Sequence, residues 1–485
     1  MSHAGLPCVV LEAGGARPSR QSQSFYWARR SGAPNHSYAY SRFRALGGST
    51  TFWTGQCVEL EEEDFLGRGE VVPAWPFRKS ELSDYYRAAA ELLHLPSEGR
   101  TDLAPDDALR CPEADFHEVR LSPVRNFAEA GALMHHGTTP ARIILNAPVT
   151  EISPDDALER IRSVRISLPD GRRVTCEARV FVLATGGVEN ARLLLLSNDR
   201  APRGLGNPHD LVGRYFMDHA YMNAGTVTRT SGTLKRLAVG SIDAQRDRCG
   251  AFAVLHARTS DDNAAALFLT EQPAFAMSQL ITTPQGRAMS HLSQIARAER
   301  FAGSDTWPHL VELARRPNRT AALIAGRAAS IMRPARACGV RLFCETTPLF
   351  ESRVRLTDAR DGLGLPRAEV DWRVREDDKR GPARLLAVLR DALDAQGATL
   401  QADFDICPGH PWPASFIGGK HHMGTTRMSD SCRTGVVDAT CRVHGLANLY
   451  VAGSSVFPSS GWANPTLSIV ALALRLSDEL RRSFP

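Results

Sequence analysis

Two segments near the C-terminus carry residue types able to move a proton and to hold an oxygen. The first is Lys420-His421-His422-Met423-Gly424-Thr425-Thr426-Arg427-Met428, and the second is Ser459-Ser460-Gly461-Trp462-Ala463-Asn464-Pro465-Thr466. An imidazole, with a free pKa near about 6.5, can accept a proton at neutral pH. A carboxamide cannot, but it can bind and orient an oxygen. His421 and His422 are neighbours on a strand-like stretch and so point to opposite faces, which lets one of them at most enter a given cleft. Pro465 suits the first turn of a helix, and the apolar run from Leu467 to Leu480 ends at Arg481-Arg482, as expected for a helix whose positive pole lies beside Asn464. Such a pole stabilises a developing anion. Taken alone, a His-His pair among 15 histidines is equally compatible with surface or satisfied core groups.

The elements that would position these groups read as an α/β arrangement. Gly5 to Gly15 is a turn, a short buried strand and an acid, Glu12, at the strand's end. In a Rossmann-type unit that acid binds the adenosine ribose, and a Gly-x-Gly-x-x-Gly turn precedes it by about 20 residues. That turn is absent from the chain as given, and Met1-Ser2-His3-Ala4 reads as the tail of the helix that follows it. Two explanations stand: a start codon placed too far downstream, which would also hide an export signal, or a real truncation. Gly47-Gly48-Ser49 lets backbone approach a flat ligand. Ala141 to Ile152 is strand-like, and Val180-Phe181-Val182-Leu183 turns through Ala184-Thr185-Gly186-Gly187 into a helix from Ala191 to Ser197. Leu82, Tyr85, Tyr86, Ala89, Leu92 and Leu93 recur with helical spacing. Ser352–Leu356 and Ala368–Trp372 read as paired strands, followed by an amphipathic helix from Asp378 to Gln396. The middle of the chain offers alanine-rich helical pieces, Ser290 to Arg297 and Thr320 to Met332, without a chemical motif, and His219 reads as structural.

Length and composition set limits. A chain of 485 residues is too long for one ordinary core, so two domains are expected. A formal charge of +5, from 58 basic and 53 acidic side chains, gives no support for a nucleic-acid partner. The ten cysteines show neither CxxC nor zinc-ligand spacing, so no metal site is expected. No charge-free apolar run of about eighteen residues is present. The N-terminus as given lacks the basic-then-apolar pattern of a signal peptide, so a cytoplasmic setting is the expectation unless an upstream export signal precedes it.

Between the two chemical segments lie Gly435-Val436-Val437-Asp438 and Arg442-Val443-His444-Gly445-Leu446-Ala447-Asn448-Leu449-Tyr450-Val451-Ala452-Gly453-Ser454-Ser455-Val456-Phe457-Pro458. With these, the C-terminal block resembles the glucose–methanol–choline (GMC) family of flavin-dependent oxidoreductases. The likeness is to its pyranose-2-oxidase-like and bacterial sugar dehydrogenase branch, whose signature ends in Asn-Pro-Thr. The resemblance extends over nearly the whole chain apart from the absent start and residues 230–335. It implies a Rossmann-type FAD-binding domain, here lacking its first strand and glycine turn, interleaved with an α+β substrate domain built on an antiparallel sheet. Residues 1–70, 139–225 and 405–485 would form the former, and 71–138 and 226–404 the latter.

The same resemblance implies His421 and Asn464 as the catalytic pair. It implies Glu12, Gly47, Gly48, Ser49, Thr54, Val149, Ala184, Gly186, Gly453, Ser454, Pro465 and Thr466 as FAD contacts. Among these, Val149 lies in the element at the adenine, Thr54 near flavin N5, and Pro465-Thr466 at the N1 side. Phe52 stands where the pyranose-oxidase branch has a flavin-linked histidine, so the FAD is expected to be non-covalent. The implied reaction oxidises an alcohol CH–OH, of a sugar or glycoside, with His421 taking the proton while hydride passes to N5. The acceptor of the electrons (oxygen, a quinone or a cytochrome) is open. Three rival readings are a hydroxynitrile-lyase-type relative, a cofactor-deficient binding protein, and a nicotinamide-dependent dehydrogenase.

Overall fold

A computed structural model describes residues 7–69, 71–97, 114–124, 126–128, 141–168, 170–228, 251–257, 263–271, 284–296, 306–332, 337–395, 397–402 and 406–484. The expected helix tail at residues 1–4, and the last residues of the helical readings at Arg297 and Gln396, lie outside them.

Short runs of Val, Ile, Leu and Phe form two parallel pairs. Val9–Leu11 pairs with Arg142–Ile144, and Phe181–Leu183 pairs with Leu449–Val451. Parallel strands need a crossover rather than a hairpin, and after Leu183 the chain supplies one, turning into the helix Glu189–Leu196. Val149–Pro154, Ile161–Ser167 and Arg173–Glu177 make an antiparallel three-stranded sheet beside this Rossmann-like region.

The second part of the architecture is an eight-stranded antiparallel sheet. Its strands lie in the order Thr399–Ala402, Ala220–Thr228, Ala337–Cys344, Ala265–Glu271, Ala251–Ala257, Asp115–Leu121 and Gln56–Cys57, and Ile417–Gly418 also pairs with Ala220–Thr228. The amphipathic helix Arg380–Asp394 buries Leu385, Leu386, Val388, Leu389 and Leu393 against this sheet. Each such side chain contributes roughly 1.5–3 kcal/mol when fully buried.

Two findings depart from the sequence reading. The alanine-rich pieces read as helical do form helices, Pro284–Ala296 and Pro317–Met332. The unassigned text before them, however, supplies two central strands, Ala251–Ala257 and Ala265–Glu271, whose pattern is neutral until neighbouring strands pair with it. The expected pair Arg353–Arg360 and Pro366–Trp372 does form. It lies outside the large sheet, with Arg29–Gly32 added in parallel to its edge.

The C-terminal helix, Thr466–Ser483, buries Leu467, Ala471, Leu472, Leu476 and Leu480. It packs on the helix Ser83–Leu92, where the Tyr86 hydroxyl lies 2.8 Å from Ser468 Oγ. This contact fixes the start of the C-terminal helix, and with it the loop that carries Asn464.

Candidate active site

His421 leaves a tight corner. Lys420 before it has φ +70°, a left-handed conformation that is uncommon for a side-chain-bearing residue. The buried carboxyl of Asp218 holds that corner: Oδ1 accepts from His421 N at 2.7 Å, and Oδ2 accepts from Lys420 N at 3.2 Å and from Asn35 Nδ2 at 3.2 Å. Burial pushes the Asp218 carboxyl up to about 7 against these hydrogen bonds.

The imidazole of His421 then meets two partners. Its Nδ1 is 2.8 Å from Nδ1 of His219, and its Nε2 is 3.4 Å from Nδ2 of Asn464. His219 in turn places Nε2 2.9 Å from the carbonyl of Gly461. A carbonyl only accepts, so His219 Nε2 carries a proton. Burial lowers the His219 pKa to about 4, so its ring is neutral and its Nδ1 is an acceptor. His421 Nδ1 must therefore donate, which leaves a lone pair on His421 Nε2. Burial first, then the neighbouring His219 and Lys420, holds the His421 pKa well below the ordinary histidine value. The ring waits as a neutral base with its acceptor nitrogen turned toward Asn464.

His422 points the other way, between the rings of Tyr38 and Phe216. Asn464 Oδ1 is buried without a hydrogen-bond partner among the described residues, an unmet acceptor of the kind that a ligand donor relieves. The loop before it is tightly held. Ser459 Oγ donates to Asp64 O and accepts from Trp75 Nε1, both at 2.8 Å, and Gly461 N donates to Glu345 Oε1 at 3.2 Å. Glu345 itself is fully buried and pairs with Arg68 at 2.6 Å.

The residues singled out from sequence fall into two neighbourhoods. In one, Glu12 ends the strand Val9–Leu11 and its Oε1 accepts from Gly14 N at 2.6 Å. Ala147 N donates to Glu12 O, two residues before Val149, and Leu46 N donates to Gly15 O, which places Gly47, Gly48 and Ser49 next along the chain. In the other, Asn190 stitches two strand ends together: its Oδ1 accepts from Thr185 N at 2.8 Å, and its Nδ2 reaches Ala452 O at 3.1 Å and Ser455 Oγ at 2.9 Å. That places Ala184 and Gly186 beside Gly453 and Ser454. Ser454 Oγ donates to His422 O at 2.8 Å, tying this group to the histidine segment. Gly187 is needed there, since a Cβ on it would lie 2.1 Å from His422 O.

Pro465 caps the C-terminal helix and Thr466 is its first residue. Thr54 Oγ1 accepts from Gln56 Nε2 at 3.0 Å, and Phe52 stacks on Phe43 with centroids 4.1 Å apart. Sequence reasoning missed Asp218, and it read His219 as structural without foreseeing its contact with His421. Their only signal was adjacency in Met217-Asp218-His219-Ala220, which says nothing of a partner some two hundred residues away.

A flat dinucleotide fits these surroundings. Ala184, Thr185 and Gly186 are exposed at a strand's C-terminal end, where open α/β sheets bind ligands. Gly186 and Gly453 face open space, with nothing within 4 Å of where a Cβ would stand. The architecture is a Rossmann-like α/β region joined to a separate domain built on an antiparallel sheet.

Residues 348–473 match the family model described as GMC oxidoreductase. The fructose dehydrogenase large subunit of Gluconobacter japonicus is 28% identical over 350 residues, covering 70% of this chain and 54% of that protein. The paromamine 6'-oxidase of Streptomyces fradiae is 25% identical over 480 residues, covering 89% and 77%. The solved structure of a fungal aryl-alcohol oxidase superposes with a TM-score of 0.58 at 15% identity, covering 99% of this chain and 95% of that one. The match spans about half the length of the fructose dehydrogenase subunit. The family likeness is to the GMC oxidoreductases, and residues 348–473 carry it.

Proposed function

We propose that the protein is an FAD-dependent oxidoreductase that oxidises an alcohol CH–OH group, of a sugar or glycoside, with His421 as the proton acceptor. The observation that carries this reading is the hydrogen-bond chain Gly461 O, His219, His421, which leaves His421 Nε2 unprotonated beside Asn464. An alcohol carbon gives up hydride only if its hydroxyl proton departs with it, so a base must reach that oxygen. In this reading His421 Nε2 takes the proton, and Asn464 Nδ2 donates to the same oxygen and orients it.

FAD, when bound, supplies the two-electron acceptor for the carbon's hydride. Glu12, Gly47, Gly48, Ser49, Thr54 and Val149 would hold it on one side, and Ala184, Gly186, Gly453 and Ser454 on the other. The free N–H groups of the first helical turn, beginning at Thr466, favour negative charge at the helix start. Phe52, a phenyl engaged with Phe43, supports non-covalent binding. The sugar or glycoside assignment draws on relatives named for fructose and paromamine. One of these is a dehydrogenase and the other an oxidase, so oxygen, a quinone or a cytochrome would serve as acceptor.

Residues 1–70, 139–225 and 405–485 are assigned to the FAD-binding part, and 71–138 and 226–404 to the substrate part. A cytoplasmic setting belongs to the same reading: Cys344, Cys407, Cys432 and Cys441 are free thiols, the state that a reducing compartment maintains. Among the described residues no helix is long and apolar enough to cross a membrane.

The test is anaerobic mixing of the FAD-loaded protein with a panel of sugars, glycosides and simple alcohols. Bleaching of the visible flavin band by a member of the panel is the expected result, with acid precipitation releasing the FAD into the supernatant. A chain that takes up no FAD, or whose FAD no alcohol bleaches, overturns the reading.

A further inference from the structure

Glu61, His117 and His256 come from three distant parts of the chain and converge on one point. Glu61 precedes the short helix Glu62–Leu66, His117 lies on Asp115–Leu121, and His256 lies on the neighbouring antiparallel strand Ala251–Ala257. In that pairing Val254 opposes His117 and His256 opposes Asp115. The two histidines are diagonal neighbours two residues apart and project from the same face of the sheet. Glu61 Oε1 lies 3.5 Å from His117 Nε2 and 3.3 Å from His256 Nδ1. One ligand atom from each residue falls within 4.8 Å of those of the other two, and the imidazole rings stand nearly perpendicular, at 87°.

The separations discriminate between two readings. Charge-assisted hydrogen bonds between imidazole and carboxylate shorten to about 2.7–2.9 Å, well below either distance. A tetrahedral ion with bonds of about 2.0–2.1 Å to nitrogen and oxygen has ligand–ligand edges of about 3.3–3.4 Å, which both distances approach. The surroundings also orient the donors. The fully buried Trp462 donates from Nε1 to Glu61 Oε1 at 3.2 Å. Its ring stacks on His256 at 5.2 Å and meets His117 edge-on at 5.6 Å. A second layer that fixes the orientation of first ligands is a regular feature of metal sites.

We propose that Glu61, His117 and His256 bind one divalent transition-metal ion, zinc foremost, with water completing its coordination. Two imidazoles and one carboxylate select such ions over magnesium or calcium, which prefer all-oxygen shells. The ion lies outside the His421–Asn464 pair and acts as a clamp. It joins two strands of the large sheet to Glu61, and through Trp462 it bears on the loop whose Gly461 carbonyl receives the His219 proton. The proposal does not depend on the flavin reading, since no atom of the His219–His421 chain is a ligand.

The test uses the full chain, stripped with EDTA and then titrated calorimetrically with Zn²⁺, with metal content measured after gel filtration. Wild type is expected to retain one equivalent per chain. His117→Ala and Glu61→Gln are expected to lose affinity by at least about 100-fold, beyond the range that outer-layer changes produce. His117 is the most exposed of the three ligands, with its side chain 35% accessible, so His117→Ala carries the test should the buried His256→Ala fail to fold. Cobalt loading gives a second readout, a visible ligand-field band present in flavin-free wild type and lost in His117→Ala. No stoichiometric uptake of Zn²⁺ or Co²⁺ by folded wild type, or equal uptake by His117→Ala, overturns the proposal and leaves a hydrogen-bonded His–Glu–His cluster.

Discussion

Replacing His219 isolates the proton order on which the base depends. His219→Leu removes the acceptor 2.8 Å from His421 Nδ1, and the buried Nδ1–H of His421 then has no partner there. Leaving such a donor unmet costs about 1–3 kcal/mol. The ring can relieve that cost by moving its proton to Nε2, where it blocks proton acceptance, or by tilting away from Asn464. At about 1.4 kcal/mol per tenfold, substrate-driven flavin reduction slows roughly 5–150-fold, with KM little changed because both ring nitrogens of His219 are taken up by His421 and Gly461. His219→Asn keeps an acceptor oxygen close to the position of Nδ1 and is expected to recover most of the rate. Anaerobic stopped-flow on the FAD-loaded variants measures the effect, with circular dichroism and thermal midpoints to establish folding. A folded His219→Leu protein that reduces its flavin at the wild-type rate refutes the reasoning, as does a His219→Asn protein no faster than His219→Leu.

Asn464→Ala is expected to slow flavin reduction by about 10²–10⁴-fold, if the amide positions the reacting oxygen, while FAD affinity stays the same; a rate within twofold of wild type contradicts that role. Acid should destabilise the fold. His219 is held near 4 in the folded state and titrates near about 6.5 when unfolded, so its contribution is complete above that pH and shrinks by about 3 kcal/mol as pH falls to 4. His36, His421 and His422 are lowered by burial too. Asp218, raised to about 7, Asp378, raised to about 6, and Glu12, raised by burial, oppose them as pH falls from about 7 to 4, three carboxyls against four imidazoles. Urea midpoints at pH 7 and 4.5 check the sign, and a midpoint no lower at pH 4.5 would count against the burial argument. Gly187→Ala forces a Cβ to within 2.1 Å of His422 O and is expected to cost about 1–3 kcal/mol, as overpacking does, read as a lowered thermal midpoint.

Local text revealed the parts of this molecule that local interactions build. The C-terminal helix announced itself through Pro465, the apolar run and Arg481-Arg482, and it forms over Thr466–Ser483. The strand–turn–helix at Phe181–Leu196 was legible because its turn glycines and apolar run lie side by side in the chain. The alternation of His421 and His422 also translated directly, one ring toward His219 and the other into Tyr38 and Phe216. Long-range convergence left no such trace. Asp218 and His219 act on residues about two hundred positions away, and the grouping of Glu61, His117 and His256 exists only once Asp115–Leu121 pairs with Ala251–Ala257. The large sheet was harder still, because its alanine-rich central strands have no amphipathic period and become strands through their partners. The likeness to the GMC family came from the block around Asn448–Thr466, where motif and spacing coincide.

The most direct measurement compares wild type with His421→Ala, each loaded with FAD and mixed anaerobically with a substrate that bleaches the wild-type flavin. The account predicts equal FAD binding and a reduction rate lower by about 10²–10⁴-fold in the variant. Bleaching at the wild-type rate in folded, FAD-loaded His421→Ala would contradict it.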